Sequence, residues 1–271
     1  MDAIFSYDGL LQELETLSRD FPFLRITVAG RTALGRGLFT LSFGSRQNRS
    51  LLVSGFSGSD APLCAFLLRY CRRLCEAYQR ETPLYDLQLS RAFLRCGVTV
   101  LPCLNPDGIE IARRGPAAGG SLRDFVRKTA GDTPWEGNAL GVLLQETFMS
   151  PQSSLQSSEA ETRTLCRLCR KEPFRQALAL TSGSRGLFCR QLGLSQKETA
   201  LGRILAHSSG CFLSDSAASD KGCGFSDWFS ETFRRPAFTI QVGKEVVSSP
   251  TANSDSIDQQ IEEALVMFPL L

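Results

Sequence analysis

With 271 residues, 42% of them hydrophobic, the chain is long enough to bury roughly three quarters of its unfolded surface in one large core without a disulfide or metal staple. Thirty basic and 28 acidic residues leave a formal net charge of +2, too weak a field to draw nucleic acid or an anionic membrane surface. No apolar run approaches the roughly 20 residues needed to span a bilayer.

The chain opens with "MDAIFSYDGLLQELETLSRDFP", where Leu10, Leu11, Leu14 and Leu17 recur at helical spacing. An acidic residue stands at position 2, where a secretion signal carries basic charge, so a folded first helix and a cytoplasmic location are expected. Strands are expected at "GLFTLSFG", "SLLVSGF", "GVTVLPCLNP", "ALALTS" and "AFTIQVG", with helices between them. After the second strand, Asp60 and Pro62 suit the first turn of a helix whose stripe of Leu63, Phe66, Leu67, Tyr70, Cys71, Leu74, Cys75 and Tyr78 faces inward.

"NPDG" reads as a turn in which Pro106 fixes φ and Gly108 takes a positive φ. Residues 112–157 are rich in Gly, Pro and Ser without clean periodicity, which predicts one or more long active-site loops. Ser158 with Glu161 predicts a capping box ahead of "TRTLCRLCRKE". The ten cysteines are expected to be reduced thiols, and Cys166 with Cys169, although spaced like a zinc pair, falls within that helix without a second pair to complete a site.

Alternation of this kind predicts one α/β domain over residues 1–271, a mixed, mostly parallel sheet with helices on both faces. Ligands of such sheets bind beyond the carboxyl ends of the strands, which singles out "SGFSGSD", "LPCLNPDG", "LALTSGS" and "FTIQVGK".

Those segments carry a resemblance. "AGRTALGR", "VTVLPCLNPDGIEI", "WEGNALGVLLQETF", "SSEAET", "GFSDWF" and "RPAFTIQVG" are similar, in order and spacing, to motifs of the zinc carboxypeptidases of the carboxypeptidase A type, most closely the bacterial γ-D-glutamyl-diaminopimelate peptidases. The resemblance implies a zinc carboxypeptidase-like fold over nearly the whole chain. It also assigns positions. The family's three zinc ligands fall on Ser57, Asp60 and Thr181, its general base on Gln241, its carbonyl-polarising basic residue on Glu136, and its substrate-carboxylate asparagine on Gln145, followed by Glu146.

The residues at those positions argue against the family's chemistry. Catalytic zinc needs about three His, Glu or Asp ligands, and Ser and Thr hydroxyls are poor substitutes. Gln241 is an amide and takes up no proton near neutral pH. Glu136 puts negative charge where an oxyanion would form. The expectation is a protein without bound zinc or peptidase activity that keeps a groove for a peptide or a peptidoglycan-derived peptide.

Plainer roles are open for the same residues. Ser57 and Asp60 also read as a turn and a helix N-cap, and Gln241 as a hydrogen-bonded core amide. His207, the single histidine, lies near a helix end ahead of Gly210, where contact with terminal carbonyls is favoured over a triad with Ser57 and Asp60. The alternative function is a hydrolase working through a non-standard set such as Asp60, Glu136, Glu146 and Glu245.

Overall fold

The computed structural model describes residues 5–131, 133–149, 157–189, 196–215, 224–243 and 259–271. Helix α1 (Tyr7–Asp20) leads into β1 (Arg25–Arg31), β2 (Gly37–Gly44) and β3 (Arg49–Ser54), then α2 (Ala61–Gln79), the single turn α3 (Leu89–Ala92) and β4 (Gly97–Leu101). There follow α4 (Pro106–Arg114), α5 (Arg123–Ala130), α6 (Ala160–Lys171), β5 (Gln176–Gly183) and β6 (Gly186–Cys189). The remaining elements are α7 (Gln196–Ser208), β7 (Leu213–Asp215), α8 (Phe225–Phe233), β8 (Ala237–Gly243) and a helix over Gln259–Met267.

The strands form one sheet in the order β1-β2-β4-β3-β5-β8-β6-β7. β3 pairs in parallel with both β4 and β5, and β5 with β8, so these strands end along one edge of the sheet. Alternation along the buried strands feeds two cores. Leu52, Leu178 and Leu180 face α1, α2, α7 and the helix Gln259–Met267, while Leu51, Val53, Ala177 and Ala179 face α6 and α8. This is the mixed sheet with helices on both faces that the alternation predicts.

The stripe on α2 is buried from Leu63 to Cys75, with Tyr78 half-buried at its end. The nine described cysteines are free thiols, eight of them buried; Cys223 lies outside the described residues.

Several local expectations are corrected. "NPDG" is a helix start: Asn105 caps α4 by accepting the Gly108 N–H at 2.9 Å, and Pro106 occupies the first turn. Gly108 lacks a positive φ and is required instead by a close approach, because a Cβ there would lie 2.2 Å from the carbonyl oxygen of Gly137. Ser158 and Glu161 form no capping box. The residue capping α6 is Glu159, which makes no side-chain cap bond, and Glu161 turns inward. The stretch from 112 onward is no continuous loop either, since α4 runs to Arg114 and α5 adds two turns that bury only Val126, too little for a periodicity to be read.

Candidate functional site

The site is built on the ends of β3, β5 and β8. Beyond β3 the chain turns at Gly55, whose φ of 74° and whose packing against Cys64 Sγ and the Cys103 backbone leave no room for a side chain. It then makes a short 3-10 turn, Gly58–Asp60, before α2. Ser57 caps this turn: its Oγ accepts the Ser59 N–H at 3.2 Å and lies 2.9 Å from Ser59 Oγ. Across the strand gap, Ser59 Oγ is 3.1 Å from Ser182 Oγ, so three hydroxyls form a chain between the two strand ends.

Asp60 is wholly buried and faces backbone rather than solvent. Its Oδ2 accepts the N–H groups of Phe56 (2.9 Å) and Ser57 (3.0 Å), and its Oδ1 accepts the N–H of Ser182 (3.0 Å). It stands at the N-cap position of α2, as expected, but its side chain is turned to the preceding turn and makes no cap bond to that helix. Burial raises its carboxyl above the ordinary range, against the pull of the Ser182, Ser57 and Phe56 donors.

Thr181 is buried in β5 directly opposite Gln241 of β8. Gln241 is half-buried, not the core amide expected, and its Oε1 accepts the Ser184 hydroxyl at 3.2 Å. Ser57, Asp60, Thr181 and Gln241 are thus brought to one edge by the parallel pairing of β3, β5 and β8. The backbone of Glu136 joins them, its carbonyl accepting the Gly58 N–H at 3.0 Å while its side chain is exposed.

Gln145 does other work: its Oε1 accepts the Phe225 N–H at 3.2 Å and so holds the start of α8. Glu146 is exposed at the end of a 3-10 turn over Leu144–Glu146. His207 is exposed in the last turn of α7, and the hydrogen bonds of Ser57 and Asp60 run elsewhere, so the triad is not assembled. Glu245 lies outside the described residues.

A shallow cleft of about 400 Å³ opens beside this edge, with Thr129, Pro134, Trp135, Glu136 and Leu143 among its lining residues. Several side chains of the motifs that the resemblance rests on tie neighbouring segments together. Arg36 donates to Asp107 at 2.7 Å, Asn105 donates to the carbonyls of Phe56 and Gly137 at 3.1 Å each, and Asn138 donates to Glu159 at 2.5 Å. Phe148, Phe225, Trp228, Phe229 and Phe233 make an aromatic cluster under the sheet, with ring centroids between 4.9 and 6.2 Å apart.

The model of the zinc carboxypeptidase (peptidase M14) family matches residues 10–200. The chain belongs to this family. The γ-D-glutamyl-L-diamino acid endopeptidase 1 of Lysinibacillus sphaericus is 22% identical over 286 residues, spanning 97% of this chain and 71% of that protein. Among solved structures, thrombin activatable fibrinolysis inhibitor superposes with a TM-score of 0.78 at 13% identity, covering 97% of this chain and 73% of that one. Murein-tripeptide amidase MpaA from Escherichia coli O157 does so with a TM-score of 0.56 at 19% identity, covering 90% of each. These likenesses establish the fold.

Zinc is the metal this family implies, and the donor set here does not suit it. Both Asp60 oxygens are already taken by main-chain N–H groups, and the neighbouring donors are neutral hydroxyls and an amide. Among the described residues no group of three or more His, Cys, Asp or Glu side chains is placed to hold a metal ion. What the edge offers is hydrogen bonding: hydroxyls that both donate and accept, and one amide. Sequence reading missed Ser59 and Ser182, which join the strand ends; both lie inside the quoted strand-end segments, but only the fold shows that they meet.

Proposed function

We propose that this member of the zinc carboxypeptidase family has given up zinc and hydrolysis and uses the cleft beside Trp135 to bind a peptide. The single observation that supports this most is Asp60, the one carboxylate among the three positions matched to zinc ligands: it is turned to the main-chain N–H groups of Phe56, Ser57 and Ser182. A carboxylate spent on holding two strand ends together is lost to a metal. Gln241, at the position of the family's base, is an amide that takes up no proton near neutral pH, and Glu136 would oppose charge on a tetrahedral intermediate.

The ligand class is taken from the relatives. One is named for γ-D-glutamyl-L-diamino acid cleavage and another for murein tripeptides, so peptidoglycan-derived peptides with a γ-linked glutamate or a diamino acid are the ligands proposed. The reading includes a cytoplasmic protein whose residues 1–271 form one domain.

Isothermal titration of the purified chain with zinc should show no tight stoichiometric site. Peptides carrying γ-linked glutamate or diaminopimelate should raise its melting temperature, since a ligand at about 100 times its Kd adds about 2.7 kcal/mol to stability. Stoichiometric zinc, or turnover of those peptides, would overturn the loss of catalysis. No shift with any of them would overturn the retained groove.

A further inference from the structure

The segment Trp135–Val142, which walls the cleft, is folded around one side chain. Asn138 Oδ1 accepts the N–H groups of Leu140 (3.0 Å) and Val142 (3.1 Å). Its carbonyl takes the Gly141 N–H and the Trp135 indole N–H, both at 3.0 Å. Its amide NH₂ points away from the loop, to Glu159 Oε2 at 2.5 Å and Glu161 Oε2 at 3.5 Å. All three side chains are buried.

The carboxylates are unequally served. Glu159 Oε1 also receives the Ser158 hydroxyl at 2.6 Å, whereas Glu161 Oε1 is buried without a hydrogen-bond partner. From α4, the buried carboxylate of Asp107 adds a third negative charge. Asp107 is itself bonded to the Arg36 guanidinium at 2.7 Å, and its other oxygen accepts the Leu34 N–H at 3.1 Å. Glu161 therefore has its own backbone N–H, one long bond to Asn138 and two like charges beside it.

We propose that Glu161 is a proton-operated latch on the cleft wall. When it takes up a proton from solvent, one carboxylate is left for the Asn138 amide and the loop is held. When it loses that proton, repulsion from Glu159 and Asp107 works against the grip on Asn138, and the segment carrying Trp135 and Glu136 loosens. Burial sets the range, pushing the Glu161 carboxyl up to about 7, with the charges of Asp107 and Glu159 adding to the rise against its own backbone N–H and the Asn138 amide. The latch rests on the buried network and holds whatever the cleft binds.

The two tryptophans report on it separately. Trp135 donates its indole N–H to the Asn138 carbonyl, while Trp228 packs in the aromatic cluster with Phe148 and Phe225. The indole ¹⁵N–¹H signals of the intact chain, assigned by the loss of one in Trp135→Phe, would be followed between about pH 5.5 and 8.5. The Trp135 signal should move with a midpoint near 7 and the Trp228 signal should stay still. In Glu161→Gln the Trp135 signal should hold its low-pH position throughout, and in Glu159→Gln the midpoint should fall, because one neighbouring charge is gone. A pH-independent Trp135 signal in the native chain, or a titrating one in folded Glu161→Gln, overturns the latch. If Glu161→Gln does not fold, an unchanged midpoint in Glu159→Gln overturns it instead.

Discussion

Asp60 illustrates how a residue that looks like a weakened ligand is a fully employed one. Its carboxylate accepts three main-chain N–H groups, two from the turn it belongs to and one from Ser182 at the end of β5. Asp60→Asn keeps one acceptor oxygen and turns an NH₂ donor toward N–H donors, so at least one buried N–H loses its partner. Each orphaned group costs about 1–3 kcal/mol, and the variant should lose about 2–4 kcal/mol of unfolding free energy in urea titrations at neutral pH. A loss within the roughly 0.5 kcal/mol of an ordinary surface change would show that these bonds carry little. The sequence identifies position 60 by motif order, but where its oxygens go depends on Ser182, 122 residues away, and no local pattern encodes that meeting.

At the scale of elements, what could be read was what has a period or a composition. β2, β3, β4, β5 and β8 are β-branched or aliphatic runs that the sequence predicts, as it does the stripes of α1 and α2. β1 escaped because "RITVAGR" is an edge strand without a fully buried position, and β6 and β7 because four and three residues are too few to show alternation. "NPDG" reads as a turn because an N-cap followed by proline has the same residues as a turn; the distinction is made by Gly137, against which Gly108 packs. That contact gives a prediction whose sign is informative. Helix propensity alone makes Gly108→Ala stabilising by about 1 kcal/mol. A Cβ 2.2 Å from a backbone oxygen must displace the chain at Gly137, an overpacking that costs about 1–3 kcal/mol or more. The clash should win, and the melting temperature should fall; a rise would mean that the 135–142 loop yields easily.

Across the whole molecule, the motif residues that carry the family resemblance are mostly ties between distant segments, as Arg36 with Asp107, Asn105 with Gly137 and Asn138 with Glu159 show. That is why the fold is legible while the chemistry is not: each of these ties needs a particular side chain to meet a particular partner, and the groups at the strand ends can change without undoing them. The same ties set the dependence of stability on pH. Glu161 rises from 4.5 to about 7 in the folded chain, so between those values the native state binds more protons than the unfolded one and stability falls as pH rises. At about 1.4 kcal/mol per unit, the full loss above pH 7 is about 3 kcal/mol. Asp60, raised by burial, acts in the same direction. Glu110 acts in the opposite one: burial pushes it up, but the Tyr7 N–H and the guanidiniums of Arg113 and Arg36 outweigh that and leave it lowered, so its contribution is lost as pH falls. Comparing the parent with Glu161→Gln cancels these two terms. The stability advantage of the variant should grow from about pH 4.5, level off a little above 7, and reach about 3 kcal/mol less whatever the amide loses in packing. A difference between the two chains that is flat across that range would mean that Glu161 is ionised at the same pH in the folded and unfolded chain, and that the buried charges of Asp107 and Glu159 do not reach it.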